Sequence, residues 1–137
     1  MTDRKIHILL VEDNTAFVKL FQYLIESSDY RVQLEYVRTM EAALSALDQD
    51  RFDLIVLDIF LPDSKGAETL TRIREKRPDT PVIILTASDD PQLKKTALNL
   101  GIKDYLPKGQ LVARFLPMMD TIFKTQRNER QSVEGAV

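Results

Sequence analysis

Five short runs of aliphatic and β-branched residues recur along the chain, at residues 6–11, 32–37, 54–57, 82–85 and 105–106. Runs that are apolar at consecutive positions suit strands covered on both faces of a sheet. Between them the apolar positions change period. Phe17, Leu20, Phe21, Leu24 and Ile25 follow the i, i+3, i+4, i+7, i+8 spacing of one helical face. Met40, Ala43, Leu44 and Leu47 repeat it, with Thr39 placed to cap the helix N-terminus. Leu70 and Ile73 mark a third helix after Gly66, ended by Pro78. Leu93, Ala97, Leu98 and Leu100 mark a fourth, entered at Pro91 and closed by Gly101 just past its end. A fifth helix carrying Met118, Met119, Ile122 and Phe123 is expected to begin near Pro117, because proline is tolerated in a first turn and not in a helix interior. Strand alternating with helix predicts right-handed βαβ crossovers. The fold class is therefore α/β, a doubly wound five-stranded parallel sheet flanked by five helices.

Length and composition narrow this picture without changing it. A chain of 137 residues is about one domain, and folding at this size buries roughly 65 to 70% of the unfolded chain's surface. The hydrophobic fraction of 44% and charged fraction of 29% are those of an ordinary globular protein. No apolar run approaches the ~20 residues needed to cross a bilayer, and the first residues read as no signal peptide. The absence of cysteine removes disulfides and thiolate metal sites and suits a cytoplasmic location. A net charge of −2 with both signs interspersed offers no basic field for phosphate backbones, so direct nucleic-acid binding is not expected. His7, inside the first strand and far from its acidic end, reads as structural.

Open α/β sheets bind ligands outside the carboxyl ends of their strands, so the residues that follow each run matter most. Glu12 and Asp13 follow the first, Asp58 closes the third, Thr86 follows the fourth and Lys108 the fifth. Three carboxylates at one edge repel one another, and each has its pKa raised unless a cation neutralises the group. All-oxygen donors with no cysteine and one histidine call for a hard ion, Mg²⁺ first, with Mn²⁺ as a substitute. A lysine and a hydroxyl opposite the acids offer charge and a hydrogen bond to a phosphoryl group. The inferred chemistry is phosphoryl transfer, with Asp58 as nucleophile forming an acyl phosphate.

Taken in order, "ILLVEDN", "DLIVLDIFLPDSKG", "PVIILTAS" and "GIKDYLPKG" resemble the receiver domain of bacterial two-component response regulators, over about residues 5 to 125. The resemblance implies a (βα)5 flavodoxin-like receiver fold, a signalling module rather than an enzyme, and Asp58 as acceptor of a phosphoryl group from a histidine kinase or a histidine phosphotransfer protein. It implies Mg²⁺ on Glu12, Asp13, Asp58 and the backbone carbonyl of Phe60, and phosphoryl oxygens on Thr86 and Lys108. It also implies a switch in which Thr86 moves toward the phosphate and Tyr105 turns inward, remodelling the face of the fourth helix, fifth strand and fifth helix toward a partner, a downstream output domain or a second copy. Phe60 and Ser88, two residues beyond Asp58 and Thr86, take positions that tune the lifetime of the phosphoryl group.

One departure stands out: most of the family follows the lysine with proline, often across a cis bond, whereas here Gly109 follows Lys108. A cis bond before a non-proline residue costs ~2.5 to 4 kcal/mol, which leaves this loop either trans or strained. Residues 126–137 turn polar and read as a tail or the start of a linker helix. Other readings share parts of this pattern. An aspartyl-phosphate phosphohydrolase expects a second acid two residues after its nucleophile, where this chain has Phe60, and a flavodoxin-like cofactor carrier needs a Gly/Ser/Thr-rich loop where this chain has Glu12, Asp13 and Asn14. A receiver-like domain that has lost phosphorylation and acts only as a binding surface is the third.

Overall fold

The computed structural model describes residues 4–87 and 90–135, with side chains as far as residue 123. Ser88 and residues 136–137 thus lie outside the described residues. The five strands form where the apolar runs predict them: β1 (Ile6–Val11), β2 (Val32–Val37), β3 (Leu54–Asp58), β4 (Val82–Thr86) and β5 (Asp104–Pro107). They pair in parallel in the order β2-β1-β3-β4-β5. The order reverses between β1 and β3, and such a switch point opens a crevice beyond the strand ends.

Helices α1 (Thr15–Glu26), α2 (Met40–Gln49), α3 (Ala67–Lys76), α4 (Pro91–Asn99) and α5 (Leu111–Gly135) connect or follow the strands. Two cores result, one on each face. Leu9, Val11, Ile55, Leu57, Val82 and Ile84 meet α2, α3 and α4, while Ile8, Leu10, Leu54, Val56, Ile83 and Leu85 meet α1 and α5. The period-2 alternation of each strand therefore divides one apolar run between two helix layers.

The helix boundaries follow the sequence in most places. Thr39 accepts the Ala42 N–H at 3.1 Å to cap α2, Asp90 caps α4 ahead of Pro91, and Gly101, at φ +76°, carries the left-handed turn that ends α4. Gly66, at φ +63°, opens α3, and α3 ends at Lys76, two residues before Pro78.

The fifth helix differs from expectation: it begins at Leu111, after a short 3₁₀ turn at Lys108–Gln110, and Pro117 lies inside it. Leu111, Phe115 and Met119 are fully buried one turn apart, and that packing outweighs the hydrogen bond the proline cannot make. Pro117 and Ala113, whose carbonyl loses that bond, both lie on the exposed side. Two leucines of the expected apolar faces also end outside the core. Leu20 is 41% and Leu98 63% exposed, since Val18 and Ile25 complete the buried stripe of α1 and Leu93 and Ala97 that of α4. His7 is half-buried, its ring 4.3 Å from that of Phe52, in keeping with a structural place.

Phe115 and Phe21 join α5 to α1 with ring centroids 4.8 Å apart and planes tilted by 59°. Phe115→Ala is expected to lower unfolding stability by about 3 to 5 kcal/mol, read as a fall in the urea midpoint at unchanged slope.

Candidate functional site

The site lies at the switch point, and short local contacts build it. Glu12 follows β1 directly, and its N–H donates to the Val37 carbonyl at 3.0 Å, which extends the ladder to β2 by one residue and fixes where the acid stands. Asn14 then acts twice. Its N–H donates to Glu12 Oε2 at 3.1 Å, and its Oδ1 accepts the Phe17 N–H at 3.0 Å, capping α1. Asp58 is the last residue of β3 and accepts the Phe60 N–H on Oδ1 at 2.9 Å. Glu12, Asp13 and Asp58 bring carboxylate oxygens within 4.8 Å of one another.

Lys108 enters from the end of β5. Its Nζ lies 3.1 Å from Asp58 Oδ2 and 2.5 Å from Glu12 Oε1, an ion pair with each. The same ammonium stands 5.2 Å from the centroid of the Phe17 ring. Every described peptide bond is trans, that between Lys108 and Gly109 included, so the loop reaches the acids without the cis bond usual in the family. Thr86 is buried at the end of β4 and pairs in register with Pro107, the residue before Lys108.

The electrostatics follow from burial and crowding. Burial pushes the Glu12 carboxyl up to about 7; the Asp58 carboxylate adds to the rise, and Lys108 and the Asn14 N–H oppose it. For Lys108 burial acts against the ammonium, but Glu12 and Asp58 outweigh it and leave its pKa raised. The buried Glu12 carboxylate, with oxygens of Asp13 and Asp58 within 4.8 Å, is an all-oxygen donor set that fits a hard divalent cation.

The structure thus gathers Glu12, Asp13, Asp58 and Lys108 and sets Thr86 on the neighbouring strand end. Phe60 is 52% exposed beside Asp58. Tyr105 is half-buried on β5, its ring 5.1 Å from the ammonium of Lys94, a residue of α4. Three contributors escaped the sequence reading. Asn14 shows only the general signal of a capping residue after two acids, and Phe17 reads as plain core. Asp63 accepts the N–H groups of Met40 and Glu41 at 2.8 and 3.0 Å, tying the loop after β3 to the start of α2. Those two bonds, that from Met40 foremost, hold its carboxyl below the usual range. The same loop is folded back by a two-residue ladder of Phe60–Leu61 with Ser64–Lys65 and by a hydrogen bond between the Ser64 and Thr69 hydroxyls at 2.8 Å.

Comparison with known proteins agrees with this geometry. The model of the response regulator receiver domain family matches residues 8–130. The response regulator ArlR of Staphylococcus haemolyticus (strain JCSC1435) is 35% identical over 120 residues, covering 88% of this chain and 53% of that protein. Among solved structures, the signal receiver domain of an HD domain-containing protein from Pseudomonas fluorescens Pf-5 superposes with a TM-score of 0.80 at 30% identity, covering 96% of each chain. The phosphorylated cyanobacterial phytochrome response regulator RcpA superposes at 0.79 and 27% identity, covering 89% of this chain and 96% of that one. The chain belongs to the receiver-domain family of two-component response regulators. It spans about half the length of the curated relatives it matches.

The raised Glu12 pKa has a stability consequence in metal-free protein. Below about 4.5 the carboxyl is protonated whether folded or unfolded; as pH rises toward 7 the unfolded chain releases that proton while the folded one retains it, so folding is progressively penalised across that window. Glu12→Gln removes the penalty. Thermal unfolding from pH 4.5 to 7.5 without divalent ions should show the variant gaining on the wild type as pH rises; a constant difference would contradict the assignment.

Proposed function

We propose that the domain is a phosphoacceptor in which Asp58 takes a phosphoryl group from a histidine kinase or a histidine phosphotransfer protein. The observation that carries this reading is the convergence, at the sheet's switch point, of three carboxylates with one ammonium 3.1 Å from the strand-end Asp58. The carboxylate of Asp58 attacks phosphorus; a phosphorus–oxygen bond forms as the bond to the donor nitrogen breaks, and the electron pair leaves with the donor imidazole. Lys108 supplies positive charge, and the Thr86 hydroxyl a hydrogen bond, to the phosphoryl oxygens. Glu12, Asp13, Asp58 and the Phe60 carbonyl would hold Mg²⁺, or Mn²⁺ in its place, and the ion would offset the negative charge that accumulates in the transfer.

The output follows from the same reading. Thr86 closing on the phosphoryl group vacates space into which Tyr105 turns, and the α4-β5-α5 face changes shape toward a partner, a downstream output domain or a second copy. On this reading the receiver unit spans residues 1–125, and residues 126–137 are a polar tail or the start of a linker helix; α5 itself runs on to Gly135. The phosphohydrolase reading is not favoured, because the position two residues past Asp58 holds Phe60 and not an acid.

Incubation with Mg²⁺ and a small acyl phosphate should add one phosphoryl group to the intact mass, and Asp58→Asn should abolish the adduct. Unlimited turnover of the donor without an adduct would favour the phosphohydrolase instead.

Phe60, half-exposed two residues after Asp58, would shield the acyl phosphate from water, and Ser88 is proposed for the same tuning role on sequence grounds alone. Phe60→Ala is therefore expected to shorten the phosphoryl lifetime several-fold, on the order of 1 kcal/mol in the barrier. Decay of the adduct followed by mass should show it, and an unchanged or longer lifetime would contradict the shielding role.

A further inference from the structure

We propose that Phe17 is a positioning residue for Lys108: its ring face keeps the ammonium over Asp58 when the site carboxylates turn to the metal, a role that rests on the phosphoacceptor reading above. Three groups hold the ammonium: Glu12 Oε1 at 2.5 Å, Asp58 Oδ2 at 3.1 Å and the Phe17 ring centroid at 5.2 Å. Two of the three are also the carboxylates that fit a divalent cation. A cation drawn to Glu12 and Asp58 competes directly with Lys108 for them. The ring does not take part in that competition, because a quadrupole attracts an ammonium without offering an oxygen ligand.

Local structure fixes the ring in place. Asn14 binds Glu12 with its N–H and the Phe17 N–H with its side chain, so the first turn of α1 sets the ring at a fixed position relative to the acid. Phe17 itself is buried against the core shared by α1 and α5. On the other side Lys108 opens a 3₁₀ turn in which its carbonyl accepts the Leu111 N–H. With Gly109 in place of proline, the backbone after Lys108 lacks a ring that restricts its torsions, and a Cβ at Gly109 would meet nothing within 4 Å. The tip of the Lys108 side chain is thus held by the acids and the aromatic face.

The test uses Phe17→Leu, which keeps an apolar side chain and removes the π face, and Phe17→Tyr, which keeps the face. Carbon–proton spectra of the Lys108 side chain, assigned with Lys108→Arg, should show ring-current upfield shifts in wild type with and without Mg²⁺. The shifts should vanish in Phe17→Leu and persist in Phe17→Tyr. Phosphorylation by a small acyl phosphate should slow about tenfold in Phe17→Leu, with Mg²⁺ affinity changed less than about twofold, and should recover in Phe17→Tyr. Lys108 shifts that ignore Phe17→Leu, or phosphorylation at the wild-type rate in that variant, would overturn the proposal. A wild type that shows the shifts in Mg²⁺ yet never takes a phosphoryl group would leave the positioning intact and overturn the functional reading instead.

Discussion

The repulsion among Glu12, Asp13 and Asp58 is the constraint on which the site is built. Three carboxylates within 4.8 Å are costly unless a cation answers them, and here Lys108 does so from the end of β5. Nothing in an apolar strand favours this arrangement by itself. It stands because β1, β3 and β5 are locked by parallel pairing and by a core on each face, and their ends lie at one rim whatever the charges prefer. The core thus supplies the free energy that holds like charges together.

Order at that rim comes from contacts that cross between elements. Asn14 couples Glu12 to the start of α1, and Asp63 couples the loop after Asp58 to the start of α2. Each places a side chain of one loop on the unpaired N–H groups of a helix, where it satisfies donors that would otherwise face solvent. The site therefore gains rigidity from helix ends as well as from strands.

The fold was legible because strands buried on both faces leave uninterrupted apolar runs, and helices between them leave a 3.6-residue period. Asp58, Glu12, Asp13 and Lys108 were legible for a related reason: a charged residue closing an apolar run is conspicuous. What the sequence hid was context. Pro117 reads as a helix start from local chemistry, yet Leu111, Phe115 and Met119 pack so fully that the helix begins two turns earlier. Leu20 and Leu98 match a helical face by spacing, but spacing alone does not say how wide the buried stripe is. Phe17 looks like core and is core; only the coordinates show that its ring also lies near Lys108.

The central claim is that the acidic cluster is a cation site held ready by Lys108, and calorimetric titration of the protein with Mg²⁺ tests it most directly. The account predicts saturable binding of one ion, lost in Asp13→Asn, and a rise in thermal stability that follows occupancy, about 2.7 kcal/mol at a hundredfold excess over Kd. Absence of binding heat together with an unmoved melting temperature in saturating Mg²⁺ would contradict it.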